Sequence, residues 1–346
     1  MDEVVIRRAD AADIEPILEL VRLSLGEGRI PRSLDYWAWK HEHNPFGRSP
    51  ILIAEADREI IGLRAFMRWN WSSHGKEIRA VRAVDTATHP GWRGRGIFSR
   101  LTQALVQEMR EEGIELVFNT PNAFSRPGYL KMGWSSLGRV SLWIRPRRVL
   151  RMARSLIERR PQGEDRLEQG TERPADGAVG LRPLSEFIGW SERDFLDRLP
   201  RTGGRLSTPL TPEYLRWRYV EIPALEYWAA WSRKAGRRAA IVGRVRSHKG
   251  LRELRLCELM VQDTRGSIGQ AAGLVRDMVR EMRTDYAAGM AAPGTPERQA
   301  LLRAGFVPAP RLGPVLTVRP LSDDRERCDP LVRSSWRLSI GDLELF

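Results

Sequence analysis

Apolar and polar residues change period repeatedly along the chain, and the changes predict an alternation of strands and helices. Val4 to Arg7 alternates as a short strand. Asp10 reads as a helix start, with Ile14, Ile17, Leu18, Val21 and Leu25 at helical spacing behind it. Leu34 to His41 predicts a second helix, rich in aromatics and ended by Asn44-Pro45-Phe46-Gly47. Ile51 to Ala56, Ile60 to Trp69 and Ile78 to Thr88 predict three antiparallel strands, the first two joined by a turn at Asp57-Arg58-Glu59. A Gly-rich loop from His89 to Gly96 leads into a helix from Ile97 to about Glu112, whose apolar face is Ile97, Leu101, Leu105 and Met109. Ile114 to Asn119 reads as a buried strand. A short helix follows and ends before Gly133-Trp134, and Val140 to Ile144 is expected to close the unit.

The second half repeats the first. Tyr36, Trp39, Lys40 and Pro45 recur at the same spacing as Tyr214, Trp217, Arg218 and Pro223. Ala239 to Val245 matches the strand containing Gly62, and Leu254 to Val261 matches the strand ending at Thr88. Glu108-Met109-Arg110 recurs as Glu281-Met282-Arg283, and Leu130 to Trp134 as Leu302 to Phe306. The order of these matches implies two copies of one α/β domain. The expected boundaries are residues 1–145 for the first, a basic and polar linker at 146–180, residues 181–320 for the second, and a tail at 321–346 with strand-like Trp336 to Ile340.

Bulk properties narrow the classes. At 346 residues the chain suits two domains of roughly 150 residues. No apolar run approaches the roughly 20 residues that span a bilayer, and Met1-Asp2-Glu3 opens no signal-peptide pattern. A cytoplasmic location is the expectation. Cys257 and Cys328 have no metal-like spacing, so no metal is expected, and Cys257 reads as a small buried residue of a strand. The net charge of +13 is carried almost wholly by arginine, with five lysines in all. Positive potential favours an anionic ligand such as a phosphorylated coenzyme. The basic residues are spread along the chain without interleaved aromatics, which argues against nucleic acid. Arg145 to about Ile157 is basic and amphipathic, read either as a linker helix packed on a domain or as a membrane-surface segment.

One segment carries chemistry: Val84-Asp85-Thr86-Ala87-Thr88-His89-Pro90-Gly91-Trp92-Arg93-Gly94-Arg95-Gly96-Ile97. A strand enters a glycine loop and a helix starts directly after. Glycine allows positive φ and a close approach of backbone to ligand. The free N–H groups and dipole of the helix start favour an anion, so the segment is a cradle suited to a pyrophosphate. Arg93 and Arg95 add charge at its rim.

This stretch resembles the acetyl-CoA motif of the GNAT superfamily, the Gcn5-related N-acetyltransferases, with Arg93 and Gly96 in the motif's places and Phe98 where Gly or Ala is usual. Asn122, Tyr129 and Gly133-Trp134 match a second block of that family. The resemblance implies two tandem GNAT-like domains of α/β (α+β) class, each with a mixed, mostly antiparallel sheet flanked by helices. It implies acetyl-CoA as cosubstrate, bound by Val84, Thr86, Thr88, Arg93, Gly94, Arg95, Gly96, Ile97, Phe98, Ser99, Asn122 and Tyr129. Tyr129 would protonate the departing thiolate. Asp85 would act as general base or as an anchor for the substrate ammonium. The second helix lies on the acceptor side in this family, so Trp37, His41 and His43 are candidates for substrate contact, although Tyr36 and Trp39 recur in the second copy as core residues would.

The second copy has Gly266-Ser267-Ile268-Gly269 opposite the arginine loop and Leu301 opposite Tyr129, so it reads as degenerate. The expected activity is transfer of an acetyl or other acyl group to a primary amine of a small molecule. A non-catalytic acyl-CoA-binding module, and acylation of a protein or tRNA, are the alternatives. The acceptor, the acyl length and the oligomeric state stay open. So does a part for the second domain or the terminal carboxylate at the active site.

Overall fold

The computed structural model describes residues 3–26, 31–157, 181–184, 192–199, 203–231, 239–248, 250–323 and 328–343. The chain runs β1 (Val5–Arg8), α1 (Ile14–Leu25), α2 (Leu34–His41), β2 (Ile51–Ala56), β3 (Glu59–Ser73), β4 (Lys76–Thr88), α3 (Ile97–Glu111), β5 (Leu116–Asn119), α4 (Arg126–Lys131) and β6 (Ser135–Arg139). It continues through β7 (Leu142–Pro146), α5 (Val149–Ile157), β8 (Leu181–Pro183), α6 (Glu192–Asp197), α7 (Pro212–Tyr219), β9 (Trp228–Trp231), β10 (Ala239–His248) and β11 (Leu251–Val261). It ends with α8 (Ser267–Glu281), β12 (Tyr286–Gly289), α9 (Pro296–Arg303), β13 (Val307–Ala309), β14 (Val315–Pro320) and α10 (Ile340–Leu343).

Two compact units result: Met1–Gly138 with Pro314–Ser335, and Arg139–Gly313 with Trp336–Phe346. Among the described residues each holds a seven-stranded mixed sheet. The orders are β1-β2-β3-β4-β5-β14-β6 in the first and β8-β9-β10-β11-β12-β7-β13 in the second. The two orders are the same pattern with one exchange. Val140 to Ile144 was expected to close the first unit. Instead β7 pairs antiparallel with β12, Ala288 facing Ile144, in the second sheet. Its place in the first sheet goes to β14, which pairs with β5 through Thr317 and Asn119. The expected domain ends at 145 and 320 therefore differ from the observed units. Repeated sequence makes repeated sheets, so a strand from either copy satisfies the same slot.

Local signals explain the elements that frame the site. The Asp10 side chain accepts from Ala12 N–H at 2.8 Å and Asp13 reaches back to Asp10 N–H at 2.8 Å, a reciprocal cap ahead of α1. Ser33 caps α2, and Thr211 caps α7 in the same way. In the first unit, Ile97, Leu101, Leu105 and Met109 of α3 pack with Phe66, Val81, Val117 and Tyr129 on one face of the sheet. Ile17, Leu18 and Val21 of α1 and Trp37 of α2 pack with Ile53 and Leu63 on the other.

Gly62 lets α3 lie this close, because a Cβ there would sit 2.6 Å from an Ile97 methyl. In the second unit, α8 packs against β10 and β11 through Ala272, Val275 and Met278. Cys257 is buried in β11. The tail is not a strand at Trp336 to Ile340. Trp336 makes one isolated bridge to Leu206, and α10 follows. Residues 158–180 of the expected linker and the terminal 344–346 lie outside the described residues.

Candidate active site

Strand β4 runs parallel to β5 only over Ala80–Arg82 against Leu116–Phe118. Past that point β4 keeps its β3 partner, with Arg64 opposite Thr86 and Gly62 opposite Thr88. A bulge interrupts this ladder, so Val84 and Asp85 stand where one residue would. The β5-facing backbone of Val84 to Thr88 is therefore outside the parallel ladder. This is the edge that the family resemblance assigns to the pantetheine chain.

At the end of β4 the chain turns through a short 3-10 segment, Pro90–Trp92, into the glycine loop. Gly94 and Gly96 have φ of 80° and 76°, conformations that favour glycine. A Cβ at either would meet no atom within 4 Å, so backbone conformation and not crowding asks for glycine here. Gly96 caps α3 with no side chain. The first-turn N–H groups therefore meet no capping side chain.

Arg95 stacks on Trp92 at 4.5 Å. Arg93 donates to the Ser24 carbonyl at 2.9 Å and so ties the loop to the end of α1. Ser24 also donates to the Thr88 carbonyl at 3.1 Å. Thr86 donates to the Leu63 carbonyl at 3.3 Å. Ile97 is core, and Ser99 is half-buried on the first turn.

Asn122 builds the turn before α4. Its side-chain oxygen accepts from Phe124 N–H, Ser125 N–H and the Ser125 hydroxyl at 2.8–3.0 Å. Tyr129 is buried on the α3 face, edge-on to Phe98 at 5.5 Å and to Trp134 at 5.2 Å. Phe98 lies against Gly128, where a Cβ would come 3.0 Å from the ring. The bulky residue that departs from the family motif is thus accommodated by a glycine on α4.

On the opposite face, the Asp85 carboxylate accepts from Lys40 Nζ at 2.7 Å and from His41 Nε2 at 2.9 Å. Burial raises the proton affinity of Asp85, but the Lys40 ammonium and the His41 bond outweigh it and hold the carboxyl well below its ordinary range. Burial also lowers the imidazole of His41, against the pull of Asp85. His41 Nδ1 has no hydrogen-bond partner among the described residues. Trp37 packs on the His41 ring at 4.2 Å and belongs to the α1–α2 core. His43 is exposed in the turn after α2. Of the three expected acceptor-side residues, the structure brings His41 to Asp85.

Sequence reasoning missed two partners. Lys40 was seen only as a repeat position. Arg64, fully buried on β3, has its guanidinium over the rings of Phe66, Tyr129 and Phe98 at 4.7, 5.4 and 5.8 Å. The signal was a lone arginine in the apolar run Ile60 to Met67.

The second unit repeats this constellation with different chemistry. Arg218 and Tyr219 stand at the positions of Lys40 and His41, and the Tyr219 hydroxyl bonds Glu258 of β11 at 2.5 Å. The chain's own tail packs against them. Arg218 donates to the Gly341 carbonyl at 3.1 Å and Ser339 to Glu258 at 3.1 Å. A Cβ on Gly341 would collide with Tyr219 and Glu258. Leu301, at the place of Tyr129, is core.

Each unit is thus a mixed sheet with helices on its faces and a glycine-capped helix after its fourth strand. Residues 5–137 match the acetyltransferase (GNAT) domain family. Over 92% of the chain the fold is shared with solved structures. One is a conserved protein of unknown function from Enterococcus faecalis V583, described as a probable N-acyltransferase, with TM-score 0.62, 10% identity and 73% of that chain covered. Another is a GCN5-related N-acetyltransferase from Kribbella flavida, with TM-score 0.57, 16% identity and 71% covered. A third is Saccharomyces cerevisiae N-myristoyltransferase with bound myristoyl-CoA, with TM-score 0.53, 11% identity and 82% covered. No curated protein matches the sequence. Among the described residues no helix is long and apolar enough to cross a membrane, and no cluster of metal-ligating side chains is found.

Proposed function

We propose that the first unit binds acetyl-CoA or a related acyl-CoA and transfers the acyl group to a primary amine of a small molecule. The observation that carries this reading is the end of the β4–β5 ladder at Arg82 and Phe118, after which β4 runs on unpaired on that side and leads through the glycine loop to the start of α3. It leaves β4 backbone for an amide-bearing chain and a helix start for a pyrophosphate. The yeast neighbour holds myristoyl-CoA, which supports acyl chemistry beyond acetyl on this fold.

The amine nitrogen attacks the thioester carbonyl carbon. The carbonyl electrons move to oxygen, where β4 backbone N–H groups stabilise the charge. The C–S bond then breaks, sulfur keeps the pair, and the Tyr129 hydroxyl gives it a proton. The nitrogen loses its own proton to solvent, leaving an amide and free CoA. Asp85, ionised and paired with Lys40, suits the anchoring of an ammonium better than the taking of its proton.

Thermal unfolding with and without acetyl-CoA tests this. Ligand at about 100 times its dissociation constant adds about 2.7 kcal/mol, and Gly96→Val removes the shift. No shift at millimolar acetyl-CoA would refute the site. A shift without thiol release across a broad amine panel would reduce the unit to a binding module.

A further inference from the structure

Arg64 carries buried guanidinium nitrogens that no hydrogen-bond partner among the described residues meets. The side chain is fully buried. Its Nη1 donates to the Val84 carbonyl at 3.2 Å, at the bulge of β4. Its Nε and Nη2 have no hydrogen-bond partner among the described residues. These two nitrogens share one side of the guanidinium, the side that binds a carboxylate through two parallel N–H bonds. A guanidinium out of water with that side unmet is costly, and three aromatic faces offset only part of the cost.

Its position shows which ligand it faces. The guanidinium is over Tyr129 and Phe98, on the α3 face of the sheet. Lys40, His41 and Asp85 belong with α2 and the other face. The guanidinium is therefore on the Tyr129 side, where the proposed acyl-CoA site puts the donor thioester, and not on the acceptor side. Phe98 replaces the small residue usual after the glycine loop, and its ring covers the arginine against Gly128.

We infer that Arg64 selects an acyl donor whose tail ends in a carboxylate, the CoA monothioester of a short dicarboxylic acid. The inference rests on the proposed acyl-CoA site and deepens it. The carboxylate takes the Nε–Nη2 edge in two charge-assisted bonds, while Nη1 stays on Val84. The transfer chemistry is unchanged, and the product amide carries the carboxylate.

Succinyl-CoA and butyryl-CoA have equal chain length and differ in that terminal group, so their affinities are compared by calorimetry on the full-length protein. Succinyl-CoA is expected to bind about tenfold tighter or more. In Arg64→Gln the ratio falls to about one, while acetyl-CoA affinity is retained. Arg64→Lys keeps the charge without the fork and gives an intermediate ratio. Equal or tighter binding of butyryl-CoA by the wild type overturns the inference and leaves the acyl-CoA site standing. That comparison decides even if the Arg64 variants fail to fold. Equal loss of all three thioesters in a folded Arg64→Gln assigns the guanidinium to the CoA thioester they share and also overturns it. No binding of any thioester sinks the site itself, and this inference with it.

Discussion

Lys40 Nζ lies 2.7 Å from the Asp85 carboxylate, and this pair joins the second helix to the bulge of the fourth strand. Neutralising it leaves a carboxylate with His41 alone. Lys40→Met is expected to cost about 1–3 kcal/mol at pH 7, less than a fully buried pair because the Asp85 side chain keeps 26% exposure. Asp85 is depressed in the fold, so its stabilisation is present above the ordinary carboxyl range and fades as pH falls through it. The gap between wild type and variant should narrow below about pH 4. Denaturant unfolding at both pH values measures it, and a gap that stays constant contradicts the pairing.

Tyr129→Phe keeps the ring packing against Phe98 and Trp134 and removes the hydroxyl. Turnover, read as free-thiol release, is expected to drop by about 100-fold or more. The acetyl-CoA thermal shift should be unchanged. An unaltered kcat would take the proton-donor role from this residue.

Gly62 is the point of closest approach between sheet and helix. Gly62→Val should cost about 1–3 kcal/mol by overpacking, because the new methyls meet Ile97, Leu101 and Ala54. Ile97 starts α3, so acetyl-CoA affinity should fall with stability. A variant that is destabilised but binds normally would show that the helix start tolerates displacement.

Glu258 in the second unit is pushed up to about 8, first by burial and then by the nearby Asp342, against the hydrogen bonds from Tyr219 and Ser339. A carboxyl raised in the fold stabilises fully below its unfolded value of about 4.3. That contribution is lost as pH rises through about 8. The wild-type unfolding midpoint should decline over that window, and Glu258→Gln should flatten the decline. A midpoint with the same slope in both proteins would assign the effect elsewhere.

Much of this arrangement can be read without coordinates. Leu34 to His41 declares its helix through its aromatic-rich stretch and the Asn44-Pro45-Phe46-Gly47 stop, and the glycine loop declares its own turn, because both signals are local. Asp85 was legible as a polar residue at a strand end, but its pairing with Lys40 was not, because the two are far apart in sequence. Arg64 shows the same limit. Its type marks it as odd in an apolar strand, yet only the packed sheet shows which rings meet it and which edge stays free. Val140 to Ile144 was legible as an extended segment, and the sheet that takes it was not. Alternation says that a segment is a strand and says nothing of its neighbour.

The exchanged strands set a schedule for making the protein. Asn119 and Thr317, 198 positions apart in the chain, stand side by side in the finished sheet. As the ribosome releases the chain from its N-terminus, the first unit stays one strand short until Val315–Pro320 has emerged. Contacts of such separation fold slowly, and an edge left unpaired in the meantime invites mispairing. A gene cut near residue 145 would give two proteins that each lack an inner strand. The second half is thus needed to complete the first unit, whether or not it retains chemistry of its own.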